Sequence, residues 1–301
     1  MENMNKVMGA RLWFLIIILS IIWGASFFFV EIAVKRMTPL TIVLCRVGFA
    51  AFLLLGFVRL TGREMPKNLG IWGAFLAIGM LNNVIPFSLI TWGQKYIDSS
   101  LAAILNATTP VFSVILAHFL TKDEPLTTNR LAGVLFGWMG VAVLIGIEAL
   151  SGVGMKIAGQ TAVLGAALLY AIAAIFGRRF KEFDPVVVSA GMLTGSTIMM
   201  IPLAFIIERP FTLDPALVTW AALFGLSAVS TALAYIIYFH VLSKAGATNI
   251  LLVTFLIPVS AIFLGMMVLG ETPGWNVFAG MALIFMGLIF IDGRLLKRFK
   301  K

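Results

Sequence analysis

Residues 110–140 read PVFSVILAHFLTKDEPLTTNRLAGVLFGWMG, and residues 258–287 read PVSAIFLGMMVLGETPGWNVFAGMALIFMG. Pro110, Glu124, Gly133 and Gly140 fall on Pro258, Glu271, Gly280 and Gly287 at a shift of 147 to 148 residues. Working outward, the same shift lays Trp72 on Trp220 and Trp23 on Tyr170, and a shift of 146 lays Pro39 on Pro185. Each match is weak alone, but their order and near-constant spacing describe a duplication, with residues 1–150 as the first copy and 151–301 as the second.

The material being repeated is apolar. Of 301 residues 61% are hydrophobic and 12% charged, and the mean hydropathy is +1.05. A water-soluble domain carries roughly 25% charged residues, so that class is excluded. A membrane-crossing helix needs about 20 apolar residues, because its backbone amides must be satisfied within the segment. Five such runs occupy the first copy: Leu12–Val34, Leu40–Leu60, Leu69–Trp92, Ser99–Thr121 and Leu131–Leu150. Five more follow: Thr161–Phe180, Val186–Ile207, Leu217–Leu242, Thr248–Leu269 and Trp275–Ile291. The fold class is an all-α integral membrane protein of ten transmembrane helices.

A net charge of +9 raises the question of nucleic acid, and the placement of the basic residues answers it. With the N-terminus inside, 16 of the 22 Lys and Arg residues fall in cytoplasmic segments, five in external loops, and Arg46 inside the second span. This asymmetry predicts that both termini face the cytoplasm, so the basicity sets orientation and no nucleic acid partner is expected. The first run lacks a small-residue cleavage site and reads as a retained helix rather than a signal peptide. Cys45 is the only cysteine, which excludes an intrachain disulfide and a Cys-cluster metal site.

An odd number of spans per copy makes the second copy enter the membrane from the opposite side. Two inverted five-helix repeats around an in-plane pseudo-twofold axis are the architecture of alternating-access carriers. The run Trp23-Gly24-Ala25-Ser26-Phe27, the pair Pro39 and Arg46, and the segment Glu124-Pro125-Leu126-Thr127 with Gly133 and Gly140 resemble the drug/metabolite transporter superfamily, in its EamA branch. Glu271-Thr272-Pro273 with Gly280 and Gly287 repeats the last of these. The resemblance covers essentially the whole chain. It implies ten helices, a multi-pass protein of the bacterial inner membrane, and export of amino acids or other small metabolites; the motifs are poorly specific for substrate. The chain departs from the pattern at Glu31, where many relatives carry a basic residue, so no charge role carries over there.

Polar groups at membrane depth usually face the bundle interior, and they are the candidates for a solute path. In the third span Asn82 and Asn83 precede Phe87 and Ile90, and Asn83, Phe87 and Ile90 share one helical face. A shift of 148 carries that face to Thr231, Tyr235 and Tyr238 in the eighth span. Two matched stripes would then meet across the axis; the plainer alternative is that they only satisfy one another between packed helices. Asn106 and Pro110 in the fourth span match Thr254 and Pro258 in the ninth, where each proline frees a carbonyl and kinks its helix. Trp23 and Tyr170 are matched mid-span aromatics, fit to wall a cavity or simply to fill the core. Arg46 needs a partner, and Glu31 near the outer end of the first span predicts an ion pair; the alternative is a guanidinium that binds a substrate carboxylate. Spans 1, 3, 4, 6, 8 and 9 are expected to line the cavity. The Gly-rich faces of spans 5 and 10 allow close contact, within the scaffold or between two copies in a homodimer.

Competing classes fare worse. An enzyme would need a nucleophile with its base or a metal centre, and the chain has no G-x-S-x-G, no H-E-x-x-H and no Cys pair. His118 and His240 have no ligand companion at helical spacing, and no cofactor is expected. A channel would need a ring of charges or a filter of carbonyls. No G-x-x-x-x-G-K-[ST] phosphate loop is present, so energy would come from a gradient. The mid-depth groups of spans 3, 4, 8 and 9 are amides, hydroxyls and phenols, which predicts a mainly uncharged site and facilitated efflux. The expected partners are a small-molecule substrate and the lipid bilayer.

Overall fold

A computed structural model of the chain describes residues 9–120, 126–145, 154–209, 215–245 and 252–292. Glu124 and Pro125 of the repeated motif, Lys122, the span limits at Thr121, Leu150 and Thr248, and the basic tail lie outside them. Regular structure among the described residues is entirely helical. Eight helices are long and apolar enough to cross a membrane: α1 Ala10–Val34, α2 Pro39–Leu60, α3 Leu69–Gly93, α4 Ser99–Leu120, α5 Thr128–Ile145, α6 Met155–Phe180, α7 Pro185–Ile207 and α8 Leu217–Val241. Two shorter apolar helices follow, α9 Val253–Leu269 and α10 Trp275–Ile291. Large apolar side chains face outward, Phe52 at 77% exposure and Ile206 also at 77%, while Asn83 inside is at 0%. That inversion suits a lipid surround, and the chain is a multi-pass membrane protein.

Among the described residues three helices are interrupted within the span, and α9 winds as a π-helix over its last turn, Gly265–Leu269. In α4 the helix breaks at Ala107 and Thr108, ahead of Pro110. Proline lacks the N–H that would reach back to Asn106; the Thr109 hydroxyl donates to that carbonyl at 2.8 Å, and the Thr108 hydroxyl donates to Leu105 O at 2.6 Å. In α3 the stretch Met80–Val84 winds as a π-helix just before Pro86. In α8 the stretch Gly225–Leu233 does the same, and its centre falls on Met80–Val84 at the repeat shift. Such π segments open the helix and turn side chains to new directions.

Packing follows the duplication. α3 lies on α6 as α8 lies on α1, and α4 lies on α6 as α9 lies on α1. α2 and α7 pack against each other, antiparallel, and are joined at both ends. At one end the Glu208 carboxylate accepts from the Leu40 and Thr41 amides at 3.0 and 2.8 Å, capping α2. At the other, Asp184 caps α7 by accepting from the Val186 and Val187 amides and bonds Arg63 Nε at 2.9 Å.

Burial pushes the Asp184 carboxyl up, but the Arg63 guanidinium and the two amides outweigh it and hold the group below the ordinary carboxylate range. A lowered value means that the cap stabilises fully at neutral pH and loses its effect as pH falls through that value. Asp184→Ala is expected to cost about 1 kcal/mol at neutral pH through the cap, the half-exposed bridge adding little. Thermal melts should show the gap from wild type closing in acid; a gap independent of pH would refute this account.

α5 and α10 pack closely through glycines. A Cβ at Gly133 would stand 2.6 Å from Gly287 O, and one at Gly140 would stand 2.7 Å from Gly280 O. The faces read as a possible joint between two copies are thus occupied within one chain. Sequence spacing revealed that the faces were small, but it carries no record of which helix they meet.

Candidate functional site

The two polar stripes do meet, at the centre of the bundle. On α3 the Asn82 amide donates to Tyr235 Oη of α8 at 3.2 Å and to Asn83 Oδ1 at 3.3 Å. Tyr235 Oη donates to Asn83 Oδ1 at 3.5 Å, and Asn83 Nδ2 donates to Ser196 Oγ of α7 at 3.0 Å. Asn83 therefore spends both ends of its amide holding three helices together. Asn83→Ala is expected to lower stability by about 1–3 kcal/mol because Ser196 and Tyr235 lose a partner in the core. Thermal unfolding in detergent checks this, and a melt equal to wild type would show that the network carries no stability.

Beside this network lies Arg46, about 10 Å into α2 from Pro39. Its guanidinium carbon stands 3.6 Å from the centroid of the Phe87 ring, and its Nε donates to Thr231 Oγ1 at 3.1 Å. Thr231 in turn donates to Leu226 O at 2.8 Å, the bond spanning five residues that the π segment of α8 makes possible. The Arg46 side chain is 8% exposed. Its two terminal nitrogens bond no acceptor among the described residues. Tyr170 of α6 and Tyr235 lie close enough for their phenols to interact electrostatically with it.

The expected ion pair between Arg46 and Glu31 is not formed. Glu31 instead has Lys35 at 3.9 Å, one turn along its own helix. The reason is the rotation and packing of α1, which lies on α8 and α9 and barely touches α2. Arg46 also sits about one turn deeper in the bundle than Glu31. The expectation of a mainly uncharged site rested on that pair, and among the described residues the Arg46 guanidinium, beside the amides and phenols, has no carboxylate partner.

The other candidates divide into two groups. Trp23 of α1 meets Tyr238 of α8 with ring centroids 5.5 Å apart, and Tyr238 meets Phe239 edge-on. Asn106 stays apart from the amide network, its Oδ1 buried without a partner among the described residues. Pro110 and Pro258 stand near the freed carbonyls of α4 and α9, and Thr254 lies on α9 a turn before Pro258. Two residues escaped the sequence reading: Ser196, in a run of small residues that looked like packing, and Gln94, close to a span end. Among the described residues no three His, Cys, Asp or Glu side chains are grouped to hold a metal.

Comparison with known proteins identifies the family. The model of the EamA-like transporter family matches residues 11–146 and again residues 157–292. The Bacillus subtilis transporter YoaV is 25% identical over 91% of this chain and 94% of its own length. The Escherichia coli inner membrane transporter YedA is 28% identical over 91% of this chain and 88% of its own. A Salmonella typhimurium protein named a "probable amino-acid metabolite efflux pump" is 25% identical, with 91% and 92% covered. A crystal structure with 18% identity superposes with a TM-score of 0.69 over 96% of this chain and 99% of that one. With both halves matched by one family model, the chain belongs to the EamA-like transporter family and is a membrane transporter, not an enzyme.

Proposed function

We propose that the protein exports amino acids or related carboxylate-bearing metabolites from the cytoplasm by alternating access, its two halves rocking about a site between α2, α3, α6 and α8. Arg46 is the substrate anchor in this reading, binding the carboxylate through its free terminal nitrogens. Asn82, Tyr170 and Tyr235 line the same space, while Trp23 and Tyr238 receive an apolar or aromatic side chain. The charge asymmetry of the loops puts both termini in the cytoplasm, and the described relatives favour the bacterial inner membrane.

The observation that carries the reading is a guanidinium with no carboxylate partner among the described residues. An arginine at this depth is costly, and such residues normally pair with an acid. The Phe87 face and the Thr231 hydroxyl offset part of that cost, and the terminal nitrogens remain in the fork that suits a carboxylate. A buried positive charge also repels cationic drugs, which argues against a multidrug exporter even though the site is rich in aromatic rings. The deciding experiment is counterflow in proteoliposomes with neutral amino acids and with their carboxamides. Movement of the acids alone supports the proposal, and equal movement of both would refute a carboxylate anchor.

A further inference from the structure

A second polar cluster closes the end of the bundle where α1 finishes and α4 begins. Glu271, in the turn before α10, accepts from the amides of Ser99 and Ser100 at 2.9 and 3.1 Å and from both their hydroxyls. Gln94, at the end of α3 and 2% exposed, donates from Nε2 to Phe27 O of α1 at 2.9 Å. That bond fixes the amide, and Gln94 Oε1 is left buried with no partner among the described residues. The Gln94 side chain lies against the Glu31 carboxyl, whose Oε2 is likewise buried and without a partner.

The charges around Glu31 are unbalanced. Asp98 from the α3–α4 turn and Glu271 from the α9–α10 turn both face it with negative charge, and Lys35 on its own helix supplies the positive one. Lys35 is held at 3.9 Å with its side chain 60% exposed, so water screens that attraction. Asp98, which Lys156 and Lys35 also face, shows the same surroundings from outside the helices: burial, then the Glu271 charge, pushes its carboxyl above the ordinary range. Two buried acceptors of this cluster, Gln94 Oε1 and Glu31 Oε2, thus lack a donor among the described residues. A protonated carboxyl is a donor as well as an acceptor, so one hydrogen on Glu31 supplies what the cluster is missing.

We propose that Glu31, set against Gln94, is a proton-binding site that is occupied when this end of the bundle is closed and released when it opens. The contacts that seal the end join α1, α3, α4 and the α9–α10 turn, so parting them brings Glu31 to water, where the ionised form is stable. Protonation therefore favours the closed end, and alkaline conditions favour the open one. As a means of driving solute exit, this rests on the export reading above; as a proton site, it does not.

Infrared difference spectra of the purified protein in lipid, taken across an acid-to-alkaline step, test it without any solute. Wild type is expected to show the carbonyl stretch of a protonated carboxyl that titrates away, and Glu31→Gln is expected to lack that band. Gln94→Ala should keep the band but move it, because its acceptor is gone, and this variant serves should Glu31→Gln fail to fold. Lys35→Ala should retain it. Exchanging sodium for choline should change nothing. A spectrum identical in wild type, Glu31→Gln and Gln94→Ala would overturn the proposal, as would a band that sodium abolishes, since the ligand would then be a metal cation.

Discussion

Arg46→Gln is expected to lower transport of carboxylate-bearing amino acids by about 10–100-fold while leaving the protein folded. A hydrogen bond to a charged partner contributes about 1.5–3 kcal/mol, and each 1.4 kcal/mol is about tenfold in affinity. The folded state should tolerate the loss. Thr231 keeps its bond to Leu226 O when the arginine is gone, and Glu31 is not the arginine's partner, so no buried acid is stranded. Arg46→Leu is a sharper version: replacing a buried charge by an apolar side chain is often neutral or stabilising, against about 0.5–2 kcal/mol of lost contact with the Phe87 ring. Melts and counterflow on the same samples separate the two effects. An Arg46→Leu protein that unfolds many degrees early, or an Arg46→Gln protein that transports normally, would return Arg46 to a structural role.

The largest stability effect is expected at the joint of α5 and α10. Gly133→Val would drive a Cβ to 2.6 Å from Gly287 O and 2.7 Å from Ile291 Cγ1. The first obstacle is backbone, so no rotamer change relieves it, and the helices must separate along contacts that also include Gly140 with Gly280. Overpacking of a rigid site costs roughly 1–3 kcal/mol and more where backbone must move, so folded yield should fall severely. Gly56→Leu on α2 is the control, because nothing lies within 4 Å of its Cβ position and only lipid would be displaced. If Gly133→Val and Gly56→Leu melt alike, the close approach is not what holds these helices.

The spans were legible because a bilayer leaves no choice: twenty apolar residues in a row have few other fates. The facing of Asn82 and Asn83 with Tyr235 was legible too, since a duplicated stripe points both copies at one axis. What the chain's order conceals is rotation and depth. Glu31 and Arg46 lie on consecutive spans about one turn apart in depth, and the packing of α1 on α8 and α9 gives them different partners. The π segments were equally hidden, because Met80–Val84 and Gly225–Leu233 share no composition that marks a wider winding. Gln94 and Ser196 looked unremarkable in sequence since their partners, Phe27 O and Asn83, are 67 and 113 residues away.

The caps contributed across the two halves have a consequence for biosynthesis. The amides that begin α2 are satisfied by Glu208, 167 and 168 residues later, and those that begin α4 by Glu271, 171 and 172 residues later. Helix starts expose amides that need acceptors. At about 5–20 residues per second, a ribosome takes roughly 10–30 s to cover that distance. For that interval the first half has already entered the bilayer with two helix starts held only by water, lipid headgroups or the insertion machinery. The second half then supplies the missing acceptors, so the finished bundle is sealed from its late-made end backward, and a pause in translation between the copies would lengthen the time the early helices spend unsealed.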